Sequence, residues 1–116
     1  MQVQYLGPLM MGLGHPALFG YDLARFPASC FAVELGEEAG FEGSLIEGDV
    51  LIADESRMVS NDDLAIAKLE GRHLVARVWR IGGRLRLIPL HGREAVFVRD
   101  DVLLGVVVSQ ARRYVM

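Results

Sequence analysis

Lysine is nearly missing from this chain of 116 residues. Of its 12 basic residues 11 are arginine, and Lys68 stands alone. Chemistry that needs a lysine as base or nucleophile therefore has one candidate position. Cysteine is as scarce: with only Cys30 no internal disulfide can form, which excludes a disulfide-stapled secreted scaffold and a zinc site built from several thiolates. No apolar run approaches the roughly 20 residues that cross a bilayer as a helix. Residues 1–14 have no basic start and make a poor secretion signal. A soluble cytoplasmic protein with no membrane contact is the default expectation, and a net charge of −3 argues weakly against nucleic acid as a partner.

What is present is apolar. Hydrophobic residues make up 52% of the chain and charged residues 23%, which excludes a disordered tail or linker. The length is that of one domain. Charge is unevenly spread: residues 1–56 hold nine acids and one base, residues 57–116 six acids and eleven bases. Two strand layers with differently charged outer faces account for this most simply. The sharper alternative is that acidic and basic surfaces meet in a dimer or on a charged partner.

Strand periodicity dominates. Residues 1–6 suit an edge strand, and the four glycines and two prolines of residues 7–20 suit an irregular lead-in. Cys30–Leu35 and Val50–Asp54 read as buried strands, the second preceded by the turn residues Glu47-Gly48-Asp49. Between them, residues 36–48 form a loop with at most one helical turn. Leu64–Leu69 and residues 72–80 flank Glu70-Gly71, a two-residue hairpin signal. Gly82-Gly83 turns the chain into residues 84–88, whose Arg-Leu-Arg-Leu pattern alternates strictly. Residues 95–98 and 103–108 complete about eight short strands. The expected fold is all-β, a compact sandwich or barrel of mostly antiparallel strands with little helix. Residues 1–25 are the lead-in and residues 26–116 the domain proper.

The stretch from Phe26-Pro27-Ala28-Ser29 through Cys30–Leu35, the strand Glu47-Gly48-Asp49-Val50-Leu51-Ile52-Ala53-Asp54 and the hairpin from Asp63 to Arg77 resemble the self-cleaving C-terminal domains of the LexA/UmuD family, which are similar to signal peptidases. Leu87-Ile88-Pro89 and Gly105-Val106-Val107 are similar to its later strands, so the resemblance covers about residues 26–110. It implies a bacterial DNA-damage (SOS) context, self-cleavage stimulated by RecA filaments, and a Ser-Lys dyad. The lysine of such a dyad has to be neutral to take the serine proton, and desolvation favours that state. Carried over without gaps, the serine position falls on Ala39 and the lysine position on Ala76. Neither alanine can serve as nucleophile or base. With Glu70-Gly71 as the turn, Leu69 faces Arg72, Lys68 faces His73 and Ala65 faces Ala76, so Lys68 points away from the face of Ala76. The flanking residues differ from the family's as well, which favours a natural loss over an engineered one. The resemblance thus implies a pseudo-peptidase acting as a dimerising interaction module, with RecA or a DNA polymerase subunit as partner and no cofactor.

The remaining candidates each have a structural alternative. Ser44 is the nearest serine downstream of Ala39 but lacks an evident base, and Cys30 opens an apolar strand with no basic neighbour to generate a thiolate. Together they are the nucleophiles of a competing reading, an active hydrolase with a rearranged site. Glu34, Glu37, Glu38 and Glu42 suit a solvated acidic loop better than a calcium or magnesium site, since their spacing fits no cation-binding loop. Asp62-Asp63 and Asp100-Asp101 read as turn acids rather than a general acid–base pair. His15, His73 and His91 are scattered, which disfavours a three-histidine metal site. Arg72, Arg77, Arg80, Arg84 and Arg86 with Trp79 make a basic hairpin that suits a solvated sheet face, with single-stranded nucleic acid as the minor alternative. Leu103, Leu104, Val106 and Val108 are apolar on both strand faces. They belong to a central strand or to an edge covered by a second subunit, and the resemblance points to a homodimer.

Overall fold

The computed structural model describes residues 1–11, 14–39, 44–90 and 94–112. Eight strands form one antiparallel sheet: β1 Val3–Pro8, β2 Cys30–Leu35, β3 Val50–Asp54, β4 Leu64–Leu69, β5 Arg72–Ile81, β6 Arg84–Pro89, β7 Val96–Val98 and β8 Leu103–Ala111. Their order across the sheet is β1-β2-β3-β8-β4-β5-β6-β7. Among the described residues helix is confined to 3-10 turns, including Pro16–Leu18, Glu37–Ala39 and Asp100–Val102. The all-β expectation holds, and most strand spans agree within a residue or two. The clearest exceptions are β1, which starts at Val3 and runs to Pro8, and β8, which continues to Ala111.

Local chemistry sets the hairpins. Glu70 and Gly71 adopt φ of 51° and 77°, and Gly82 and Gly83 adopt 58° and 78°. Positive φ at both central residues matches the twist of the flanking strands, which is why two-residue turns close β4–β5 and β5–β6. The resulting register pairs Leu69 with Arg72, Lys68 with His73 and Ala65 with Ala76, as the sequence predicts. Side chains then alternate: Leu74, Ala76 and Val78 are buried on one face, while Val75 is buried and Arg77 exposed on the other.

The sheet curls until its first strand meets its middle. Gln2 bridges Leu74, and the Val75 N–H donates to the Met1 carbonyl at 2.9 Å. Register shifts at Tyr5/Gly7, Ile52/Ala53 and Ile66/Ala67 supply the added bend, because an extra residue on one strand sharpens local twist. Curling buries β2 and β3 on both faces: Ala32, Val33, Val50, Leu51, Ile52 and Ala53 are all fully buried. Each such Val, Leu or Ile contributes about 1.5–3 kcal/mol on leaving water. Gly105 on β8 is required by close approach. A Cβ there would lie 2.8 Å from Phe31 Cε1 and 3.1 Å from the Asp54 backbone.

Two expectations are corrected or narrowed by this topology. The acidic and basic halves lie in one curled sheet, with β1–β3 at one end, β4–β7 at the other and β8 of the basic half between them. For residues 103–108 the central placement holds. Val106 pairs with Asp54 on one side and Ala65 on the other, so the strand is central there, while Leu103 pairs with Ala67 of β4 alone. The side chains serve the core: Leu103, Leu104 and Val108 each pack against a different buried cluster.

Candidate functional site

Ala39 ends the turn Glu37–Ala39, anchored by its N–H donating to the Gly36 carbonyl at 3.1 Å. It is buried in a cluster with Met1, Val3, Leu35, Ile66 and Val75. Ala76 is fully buried on β5 in a different cluster, among Ala65, Ala67, Val78, Leu85 and Leu87. The structure therefore does not bring the two alanines into one packed group. The β5 residue that shares the Ala39 cluster is Val75, whose side chain alternates to the opposite face from Ala76. Both positions are apolar and dry, and a side chain of four methylenes and an ammonium at position 76 would be desolvated on all sides.

The N-terminal strand closes this region. Met1 and Val3 are each 5% exposed and pack in the cluster of Ala39, and the main-chain bond from Val75 holds Met1 against β5. Beside it runs an open groove of about 610 Å³ lined by Gln2, Tyr5, Gly36, Glu37, Arg72 and His73. The His73 ring stacks on Tyr5 with centroids 5.3 Å apart. No serine or cysteine lines this groove among the described residues. Its Glu37 and Arg72 suit polar contacts with a ligand rather than nucleophilic attack.

Both fallback nucleophiles lie elsewhere. Burial pushes the Cys30 thiol above its ordinary range, and the negative charge of Asp54 pushes it further, so the thiolate is disfavoured. The Ser44 carbonyl accepts from Gln110 Nε2 at 2.6 Å and Arg112 Nη2 at 3.2 Å, which ties it to the end of β8. Lys68 is exposed on β4 opposite His73. His15 donates from Nε2 to Glu34 at 2.9 Å while its Nδ1 accepts from the Ala17 N–H. Glu42, His91 and the side chain of Glu38 lie outside the described residues. No group of three or more His, Cys, Asp or Glu side chains converges among the described residues.

The turn acids are partly engaged by the basic strands. Arg77 approaches Asp62 at 3.6 Å, Arg80 meets Asp100 at 3.1 Å, and Asp63 accepts from the Ser60 N–H at 2.8 Å. These exposed pairs contribute little to stability. Trp79 and Arg84 are exposed on β5 and β6, and Arg86 is half-buried on the same face, as the period-two pattern predicts.

One polar centre escaped the sequence reading. Asp49 is fully buried, and Arg112 clasps it with two bonds, Nε to Oδ1 at 2.8 Å and Nη2 to Oδ2 at 2.9 Å. Gln110 and the Ile46 N–H add bonds at 2.7 and 3.0 Å. Burial raises its carboxyl pKa, but the hydrogen bonds of Arg112, Ile46 and Gln110, with the Arg112 charge, overcome that and hold it below the ordinary carboxylate range. The cluster fastens residues 44–49 to β8 and so fixes where the loop of Ala39 returns. Its only local signal is the Gly48-Asp49 pair before a buried strand.

Known proteins similar in sequence to this chain are LexA repressors. The LexA repressor of Carboxydothermus hydrogenoformans is 31% identical over 88 residues, covering 72% of this chain and 43% of the repressor. Those of Desulforamulus reducens and Clostridium perfringens are 29% and 26% identical over 84 and 85 residues, again 72% of this chain. The chain is a LexA-like family member. It spans about two fifths of the length of the curated relatives it matches. No family model matches. The LexA-like assignment and the curled antiparallel sheet agree on a peptidase-fold domain, and among the described residues no helix is long and apolar enough to cross a membrane.

Proposed function

We propose that this LexA-like domain is a pseudo-peptidase, a protein-interaction module that binds without cutting. The observation that carries the reading is the state of the two dyad positions. Where the resemblance puts the serine and the lysine stand the buried alanines Ala39 and Ala76, and the chain's own residues Met1 and Val3 pack against the first of them. A nucleophile–base pair needs a hydroxyl and an amine within hydrogen-bond reach, and two methyl groups supply neither. The relatives are named repressors, and an SOS context, with RecA or a DNA polymerase subunit as partner, follows from that likeness. Homodimerisation and a cytoplasmic location belong to the same reading.

The competing reading, an active hydrolase using Ser44 or Cys30, has the structure's chemistry against it. The Cys30 thiol is buried and raised, and the Ser44 backbone is drawn toward Asp49, Gln110 and Arg112. Treating the folded protein with a fluorophosphonate probe and separately with iodoacetamide, then mapping peptides by mass spectrometry, separates the two. The pseudo-peptidase reading predicts no stoichiometric labelling of Ser44 or Cys30 before unfolding. Rapid labelling of either in the native state, lost on its replacement by alanine, overturns it.

A further inference from the structure

The far end of the sheet carries a second surface that the groove beside Ala39 does not use. β7 is the terminal strand, and its outer edge meets no other strand among the described residues. The register aligns Trp79, Arg86 and Phe97 in one row across β5, β6 and β7, with Ile81 beside Arg84 in the next. Arg84 lies 4.2 Å over the Phe97 ring and Arg86 lies 5.8 Å from it. Arg77 and Arg80 have carboxylate partners. Neither Arg84 nor Arg86 has one among the described residues, and Arg86 Nε is buried without a hydrogen-bond partner. Trp79, Ile81, Val96 and Phe97 are all at least 37% exposed.

Sheet edges in stable proteins are usually blunted by lysine, proline, a bulge or a covering loop. The three residues of β7, Val-Phe-Val, carry no charge and no proline. Their two sides differ in chemistry. Phe97 shares its face with the unpaired guanidiniums. Val96 and Val98 pair with Leu87 and Leu85 on the other face, beside a groove of about 490 Å³ with an apolar floor of Leu74, Leu87 and Pro89 and with Glu70, Arg72 and Glu94 also lining it. An added strand would therefore present alternate side chains to a cationic aromatic face and to a groove whose apolar part is Leu74, Leu87 and Pro89.

We propose that β7 accepts an extended segment of a partner protein in which carboxylates alternate with aliphatic residues. The carboxylates pair with Arg84 and Arg86, and the aliphatic side chains enter the groove beside Leu87 and Pro89. Charge complementarity selects an acidic occupant. The composition of the face, rich in arginine and aromatic rings and free of lysine, is that of protein interface cores. Such a surface serves an active or an inactive peptidase fold equally, so the proposal is independent of the reading of Ala39 and Ala76.

Trp79 is the only tryptophan, so intrinsic fluorescence reports this face directly. Titration with the peptide Glu-Val-Glu-Val-Glu-Val should change its emission saturably. The lysine–valine counterpart should fail, and the charge-reversed variant Arg84→Glu/Arg86→Glu should bind the acidic peptide at least about tenfold more weakly. A glutamate–valine peptide methylated on alternate main-chain nitrogens tests strand addition without altering the protein, and it should lose binding. Several results overturn the proposal: no response to the acidic peptide, an equal response to the basic one, or undiminished binding of the methylated one. So does a response to oligothymidylate in place of the acidic peptide, which assigns the face to nucleic acid. Concentration-dependent self-association abolished by the arginine substitutions assigns it to a second copy and overturns the proposal as well.

Discussion

The two ends of the sheet handle charge in opposite ways. At the β3–β8 end, a fully buried carboxylate, Asp49, is bound by Arg112, Gln110 and a main-chain amide. At the β5–β7 end, Arg84 and Arg86 lie over an exposed ring with no carboxylate among the described residues. The first arrangement holds residues 44–49 against β8, because a buried charge that lost its partners would bear the full desolvation penalty. The second leaves charge available to something outside the chain. Between these extremes lie Ala39 and Ala76, small buried apolar side chains at the two positions where the LexA/UmuD resemblance puts polar ones.

The difference between the two ends can be broken most forcefully from the middle. Ala76→Lys puts an ammonium into a site with no exposure, which should destabilise the fold by about 4 kcal/mol at neutral pH. The sign with pH follows from a lysine pKa depressed in the folded state. The unfolded chain then binds more protons, so stability rises with pH. Urea unfolding at pH 7 and pH 10 should show the deficit shrinking at the higher value, and an equal deficit at both would mean that the position is solvated.

Asp49→Ala should come next, at about 3 kcal/mol, because it strips the buried end of an ion pair and strands the donors around it. The lowered carboxyl pKa adds a pH signature. Its stabilisation is present above the unfolded value near 4 and is lost as pH falls through the folded value. Thermal unfolding between pH 6 and pH 2 should therefore fall less steeply in Asp49→Asn than in the parent protein.

Gly105→Ala tests the close approach of β8 to Phe31 and the Asp54 backbone. Overpacking against backbone costs about 1–3 kcal/mol, measured as a lowered urea midpoint with unchanged slope. Lys68→Gln should matter least, within about 0.5 kcal/mol, because that side chain is exposed and has no part in either cluster. A large loss there would reopen a role for the one lysine.

Much of this architecture was legible in the sequence because its signals are local. Glu70-Gly71 and Gly82-Gly83 fix the two hairpins, and with them the pairing of Lys68 with His73 and Ala65 with Ala76. Long-range partnerships were not legible. Asp49 and Arg112 lie 63 residues apart, and no periodicity or turn signal links them. The curl that puts Met1 beside Val75 depends on register shifts in three strand pairs, which apolar alternation does not encode. For the same reason the sequence left open whether residues 103–108 are central. Their insertion between β3 and β4 is a property of the whole sheet.

The central claim is that a LexA-like peptidase fold here lacks peptidase chemistry, and self-cleavage tests it most directly. Alkaline pH favours a neutral lysine and so favours a Ser-Lys dyad. The intact mass of the protein, followed through prolonged incubation near pH 10, should remain that of the full chain. A single specific cut whose rate rises with pH, abolished by one substitution at Ser44, Cys30 or Lys68, would contradict the account.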